Sequence, residues 1–315
     1  MRGADSSLDL AVVIVTWNNA DVILPALQSL RADLAETSLR HEIWLVDSAS
    51  RDATVELVRR HFPQVNLLVC ERNRGFGAAN NLALDRLGLA GGPSTDLPAA
   101  VYLLNPDTLA QPGSTQRLYD TLMSSPELGV VGARLSYADG SFQHSAFRFP
   151  GLRQVYCELF PVPGRLLAGR FNGRYPRSLY ESAAAFAIDF PLGATMMLKR
   201  AAILQSGIFD EDFFIYCEEV DWAWRIRKLG WRIACEPRAH VIHLGGQSTA
   251  QARPSSLVHL WRSRLLLMDK HLPGWKRRLA RWLILRGMRR KLRALGDADA
   301  ELADACREII EMAQR

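Results

Sequence analysis

The chain has 315 residues, 48% of them hydrophobic and 23% charged, a composition that excludes disordered and collagen-like classes and supplies a full hydrophobic core. Five scattered cysteines with no Cys-x-x-Cys pair exclude a disulfide framework or a zinc ribbon and imply a reducing, cytoplasmic setting. The polar N-terminus and the lack of any apolar run near the roughly 18 residues of a spanning segment imply neither a signal peptide nor a transmembrane helix.

Leu10 to Val15 is a continuous apolar, β-branched run ending in Thr16-Trp17-Asn18-Asn19, the pattern of a buried parallel strand that opens into a polar loop. Ile23, Leu27, Leu30 and Leu34 follow at helical spacing, with Asp21 as candidate cap and Pro25 acceptable in the first turn. Glu42 to Val46 gives a second strand ending at Asp47-Ser48-Ala49-Ser50, and Asp52 can cap the helix that carries Val55, Val58 and Phe62. Val65 to Val69 makes a third strand. After it, Asn73-Arg74-Gly75-Phe76-Gly77 opens a helix through Leu82, Leu84 and Leu87. This nearly spells a dinucleotide fingerprint, but Asn80 stands at the third glycine and the motif follows the third strand, so a Rossmann dehydrogenase is rejected.

Val101 to Leu104 reads as a buried strand that must end before Pro106, which cannot donate to a ladder. Asn105-Pro106-Asp107 is then either a plain turn or an acid at a strand's carboxyl edge, where open α/β sheets bind ligands and where oxygen ligands suit Mg²⁺ or Mn²⁺ on a diphosphate. A helix from Ser114 and a strand over Val130 to Leu135 complete four βα units, which argue for an α/β, doubly wound, mostly parallel sheet.

Asp139-Gly140 breaks that rhythm as a hairpin turn and opens a more mixed half. Phe149 to Glu181, rich in Pro, Gly and Arg, reads as an irregular stretch, a lid or binding loop if ordered. Ala187 to Phe190 and Met196 to Leu198 are further strands. From Phe209 to Trp222, acids alternate with large apolar groups and run into a helix with Glu218, Glu219 and Asp221 in its first turn. Those acids are either helix-capping charges or, beside Phe213, Phe214 and Tyr216, carboxylates raised in pKa toward a general base's range. Strands over Trp231 to Cys235 and His240 to His243 follow, then Gly245-Gly246-Gln247-Ser248; His240 and His243 are either structural or one of them completes a metal site.

Taken together and in order, Val15-Thr16-Trp17-Asn18, Val46-Asp47-Ser48-Ala49-Ser50, Asn73 with Gly75-Phe76-Gly77 and Asn80-Asn81, Asn105-Pro106-Asp107, Phe209-Asp210-Glu211 through Trp222, and His243 resemble family 2 glycosyltransferases. Within that family they are most similar to bacterial rhamnosyltransferases of surface-polysaccharide assembly. The resemblance implies a GT-A fold, a nucleotide-diphosphate-sugar donor, a glycan or polyprenyl-diphosphate-linked acceptor and inversion at the anomeric carbon. It places Thr16, Asn18, Asp47, Asn73, Gly75, Asn105 and Asp107 on the donor, Asp107 and His243 on Mg²⁺ or Mn²⁺, and Glu219 as base with Glu218 and Asp221 as rivals. Asn105 replaces the first acid of the family's D-x-D motif, and Glu219 stands where many relatives have Asp. A UDP-hexose donor and a non-catalytic sugar-nucleotide binding protein are the alternatives. A nucleotidyltransferase would need a basic Gly-rich loop in place of Trp17-Asn18-Asn19.

The expected division is a glycosyltransferase domain over residues 1–250, with its donor-side half near 8–135 and its acceptor-side half near 136–250, and a helical extension over 251–315. Residues 262–293 carry twelve Lys or Arg against the single acid Asp269, so the +6 net charge belongs to this segment. Trp275 and Trp282 interleave with Lys276, Arg277, Arg278, Arg281 and Arg286 after a break at Pro273-Gly274. Peripheral contact of residues 257–293 with the anionic inner face of the cell membrane, nucleic-acid binding and simple packing compete, and the acidic remainder of the chain opposes nucleic acid. Leu302, Cys306, Ile309 and Ala313 form a last stripe, for packing on the domain or in a homo-dimer.

Overall fold

The protein, described by a computed structural model over residues 8–91, 97–245, 253–295 and 299–315, is built on one ten-stranded sheet. Its first elements are β1 (Leu10–Thr16), α1 (Ala20–Ala35), β2 (His41–Asp47), α2 (Thr54–His61), β3 (Asn66–Val69), α3 (Phe76–Arg86), β4 (Ala100–Leu104), β5 (Thr108–Ala110), α4 (Ser114–Met123) and β6 (Leu128–Ser136). The period-two alternation of β1 explains the two layers around it. Leu10, Val12 and Ile14 pack with Ile23, Leu27 and Leu30 of α1, whereas Ala11, Val13 and Val15 face Ala79, Ala83 and Leu84 of α3. Each fully buried Leu or Ile there contributes about 1.5–3 kcal/mol.

The mixed half contains β7 (Phe142–Gln143), β8 (Ala146–Phe147), α5 (Leu152–Leu159), α6 (Gly164–Leu167), a 3₁₀ turn (Arg170–Asn172), α7 (Arg177–Tyr180), β9 (Phe186–Ala187), β10 (Phe190–Pro191), β11 (Thr195–Lys199), α8 (Arg200–Ser206), α9 (Glu218–Lys228) and β12 (Arg232–His243). Three helices follow: α10 (Arg253–His271), α11 (Gly274–Leu295) and α12 (Ala300–Gln314). The strand order is β3-β2-β1-β4-β11-β6-β12-β5, with β7 added on β6 and β9 on β12. β3, β2, β1 and β4 are mutually parallel, β11 runs against both of its neighbours, and β6 and β12 are parallel again. The chain steps from β1 to β2 on one side and later to β4 on the other. Such a reversal leaves a crevice at the strands' carboxyl ends, here between Thr16 and Leu104.

Several local expectations change. Asp21 does not cap α1: the helix begins at Ala20 behind Asn19, and Asp52 accepts from the Ala20 N–H, so the loop after β2 closes the first turn of α1. Pro25 consequently lies beyond the first turn. The stretch from Phe149 to Glu181 is not irregular but folds into α5, α6, the 3₁₀ turn and α7, because Val155 and Leu159 of α5 find an apolar partner in α11. Ala187 to Phe190 divides into β9, paired with β12, and β10, paired with β8. The two strands expected over 231–243 are one strand with an irregularity between Glu236 and His240. Gly246-Gln247-Ser248 and the expected boundary at 250 lie outside the described residues.

α12 covers its own stripe within the chain: Cys306, Ile309 and Ala313 are buried among Trp261, Leu265, Ala280 and Ile284 of α10 and α11. Among the described residues no helix is long and apolar enough to cross a membrane.

Candidate active site

A cavity of about 310 Å³ occupies the crevice. Of the residues expected at the site, Thr16, Asn73, Gly75, Asn105, Asp107, Glu218, Glu219 and His243 line it; Asn18, Asp47 and Asp221 do not. Thr16 ends β1 with its hydroxyl donating to Asn19 Oδ1 at 3.0 Å. Asn18, at a left-handed φ of 52°, is engaged in the loop: its N–H donates to Ser50 Oγ and its Oδ1 accepts from Arg51. Asp47 is buried, with Oδ2 accepting from the Ser50 N–H at 2.9 Å and Oδ1 without a partner, while its neighbour Ser48 forms part of the cavity wall.

Asn73 Oδ1 accepts from Ser48 Oγ and from the Gly75 N–H at 3.1 and 2.9 Å, folding the loop before α3 onto the end of β2. Gly75 has φ +84°, and a Cβ there would collide with the Phe214 carbonyl oxygen. That oxygen accepts the Phe76 N–H at 2.9 Å, so the glycine is required both by its dihedral and by a backbone contact between the two halves of the cavity.

Asp107 follows Pro106 at the end of β4, and His243 ends β12, which pairs with β5 (His243 opposite Thr108). This register brings His243 Nε2 to 3.4 Å from Asp107 Oδ1, while its Nδ1 meets the Gln143 side-chain amide at 3.1 to 3.2 Å. The buried Asn105 Oδ1 has no partner. One carboxylate, one imidazole nitrogen and one orphaned amide oxygen are donors of the kind a divalent cation takes, and they leave the rest of its shell to be supplied from outside the protein. Among the described residues no group of three or more His, Cys, Asp or Glu forms a full protein cage.

The two glutamates lie at the start of α9, behind Tyr216 and Cys217, which both adopt left-handed φ (68° and 67°). Glu218 is buried with Oε2 unpartnered, and burial together with the adjacent Glu219 carboxylate pushes its carboxyl well above the usual range. Burial likewise raises Glu219, which is partly open to the cavity. Asp221 turns away. Burial alone would raise its carboxyl, but hydrogen bonds from His271 and Arg225 outweigh that and hold it low. Its partners are His271 and Arg225, and it lines neither this cavity nor the one beside it.

A second, largely apolar cavity of about 250 Å³ adjoins the first, and Leu192, Tyr216 and Glu219 line both. α5 contributes Val155 and Glu158 to its wall, α10 contributes Leu260, Arg264, Leu267 and Met268, and Leu272 follows directly after α10. Sequence reading missed this half of the site, as it missed Trp17, Phe76 and Gly193 in the first cavity. The Gly193-Ala194 passage before β11 was the available signal: Gly193 lies against the Glu219 side chain, and a Cβ there would stand 3.4 Å from its Cγ, at ordinary contact distance.

The sequence matches Glycosyl transferase family 2 over residues 11–203. It is 32% identical over 281 residues to the N-acetylglucosaminyl-diphospho-decaprenol L-rhamnosyltransferase of Mycobacterium tuberculosis, covering 87% of this chain and 89% of that protein. It is 22% identical over 237 residues to the rhamnosyltransferase WbbL of Escherichia coli, covering 74% and 82%. In fold it is similar to the mannosyltransferase PcManGT of Pyrobaculum calidifontis, solved with GDP-Man and Mn²⁺, at a TM-score of 0.55 and 18% identity, covering 98% of this chain and 84% of that one. The chain therefore belongs to glycosyl transferase family 2 and is a glycosyltransferase of the GT-A fold.

Proposed function

We propose that the chain transfers a hexose, with dTDP-rhamnose as the favoured donor, to a hydroxyl of a polyprenyl-diphosphate-linked glycan, with inversion at the anomeric carbon. The observation that carries this reading is that Glu219 stands in the wall of both cavities, where a donor in the first and an acceptor in the second would meet. The activity by which the mycobacterial relative is named supports the choice of sugar and acceptor. On this reading the division into a donor-side half, an acceptor-side half and a helical extension is functional, since the extension supplies α10 to the acceptor cavity.

In the single displacement, Glu219 takes the proton of the acceptor hydroxyl as that oxygen bonds to C1 of the donor sugar. The bond from C1 to the diphosphate oxygen breaks, and its electron pair leaves with the nucleoside diphosphate. Thr16, Asn73 and Gly75 shape the nucleoside end of the cavity, with Ser48 in its wall and the buried Asp47 behind it. Asp107, His243 and Asn105 would hold Mg²⁺ or Mn²⁺, which when bound offsets the charge of the diphosphate. The test is Glu219→Gln. Turnover should fall by about 10² or more, while dTDP and UDP, with and without Mg²⁺ or Mn²⁺, still raise the melting temperature; wild-type turnover would refute the assignment.

α11 adds a site of membrane contact. Trp275, Leu279 and Trp282 are exposed on one face with Arg278, Arg286, Arg289, Arg290 and Arg293, and the helix contains no acid. A tryptophan-bearing, wholly basic face suits the anionic surface of the membrane that carries a polyprenyl acceptor.

A further inference from the structure

The second cavity has a charge arrangement that transfer itself does not require. Its walls are aromatic and aliphatic, with Phe147, Phe190, Trp224 and Leu267 among them, and among the described residues Arg264 is the only cation lining it. Arg264 is ion-paired with Glu158 and its guanidinium lies 5.0 Å from the Trp261 ring centre. Both side chains are partly exposed, 27% and 36%. Glu158 also lines a third cavity of about 370 Å³, whose rim includes Arg290 and Lys291 of α11. The pair thus stands between the space that reaches Glu219 and the space that opens toward the basic helix.

We infer that Arg264 is the residue that recognises the diphosphate of the acceptor, and that Glu158 holds its place until the acceptor arrives. This rests on the acceptor reading given above. A guanidinium left alone against apolar walls would be an uncompensated charge, and Glu158 removes that cost in the empty enzyme. A diphosphate offers the planar fork two oxygens on a more highly charged group, so it exchanges with the single carboxylate. The sugar then extends toward Glu219 and the lipid chain toward Leu260 of α10 and Leu272 just after it. A neutral acceptor cannot make the exchange, so the pair selects lipid-diphosphate sugars over uncharged glycosides of the same sugar.

The experiment compares kcat/KM of the full chain for a short-chain prenyl-diphosphate-linked sugar and for the same sugar as a neutral alkyl glycoside. Arg264→Gln should reduce the preference for the diphosphate acceptor about tenfold or more, mainly through KM, and Arg264→Lys should restore part of it. An equal loss on both acceptors, or an unchanged preference, overturns the inference. If Arg264→Gln fails to fold, Glu158→Gln decides: it should lower KM for the diphosphate acceptor, and an unchanged or higher KM refutes the exchange. Glu219→Gln separates the two claims. Loss of turnover in that variant with an unmoved preference in Arg264→Gln sinks only the Arg264 assignment, whereas retained turnover sinks the site reading and this inference with it.

Discussion

Nε2 of His271, the last residue of α10, lies 2.7 Å from Oδ1 of Asp221 in α9, and both side chains are almost fully buried. The first turn of α9 carries Glu219, so the C-terminal helices are fastened directly to the helix that bears the proposed base. Two further ties act nearby: Ser263 donates to the Ile215 carbonyl at 2.7 Å, and Lys270 pairs with Asp210 and Asp212. Asp221→Ala leaves His271 and Arg225 facing an empty position, and urea unfolding should show a loss of about 3–5 kcal/mol, as for other broken buried pairs. The pH dependence has a definite sign. The folded carboxyl titrates below its unfolded value, so its stabilisation is present above about pH 3.9 and disappears as the pH falls through the lower folded value. The stability gap between wild type and Asp221→Asn should therefore shrink only below about pH 4; a gap constant down to pH 2 would contradict this.

Glu218 behaves in the opposite direction. Its folded carboxyl titrates well above the unfolded value of about 4.3, so the stability present at low pH is lost as the pH rises through the folded value. Glu218→Gln removes that loss and should melt higher than wild type at pH 7 to 8, with the difference vanishing near pH 4. Thermal melts across that range decide it, and a variant less stable at pH 8 would show that the carboxylate is held by favourable contacts instead.

Gly75→Ala should be destabilising by more than about 1 kcal/mol, because alanine at φ +84° is strained and its Cβ has no room beside the Phe214 carbonyl. The main effect should fall on the donor. Relief of the clash separates the loop of Asn73 from Phe214, opening the first cavity, so the thermal shift given by a nucleotide diphosphate should be reduced or lost. Normal nucleotide binding by this variant would mean that the loop adjusts without widening the cavity.

The exposed face of α11 can be tested without disturbing the core. Trp275 and Trp282 are 62% and 50% exposed, with Lys276 and Arg286 over their rings. Replacing both with Ala should weaken sedimentation with vesicles containing anionic lipid by roughly tenfold or more and leave the melting temperature nearly unchanged. High salt should weaken wild-type binding as well. Salt-insensitive binding, or none in the wild type, would remove this face as a membrane contact.

The donor half was largely legible because its information is local. Apolar runs that stop at polar residues mark β1, β2 and β4, and the Asn73 to Gly77 loop announces its tight turn through its glycines. What escaped depends on contacts between distant segments. Glu219 and Asp221 are two residues apart on one helix with the same charge, and only the packing of α10 decides that Asp221 meets His271 while Glu219 meets the cavities. α5 was hidden for the same reason. Its eight residues sit amid prolines and arginines, and its apolar side acquires meaning from Gly287 of α11, where a side chain would collide with Leu159.

The stretch matched to the family ends at residue 203, yet a wall of the second cavity comes from α10, at 253–271. On the proposed reading, acceptor preference therefore draws on two distant segments, α5 within the matched stretch and α10 beyond it. Grafting residues 253–315 from a relative should shift acceptor range while the donor is retained, and a full exchange should need the facing residues of α5 as well.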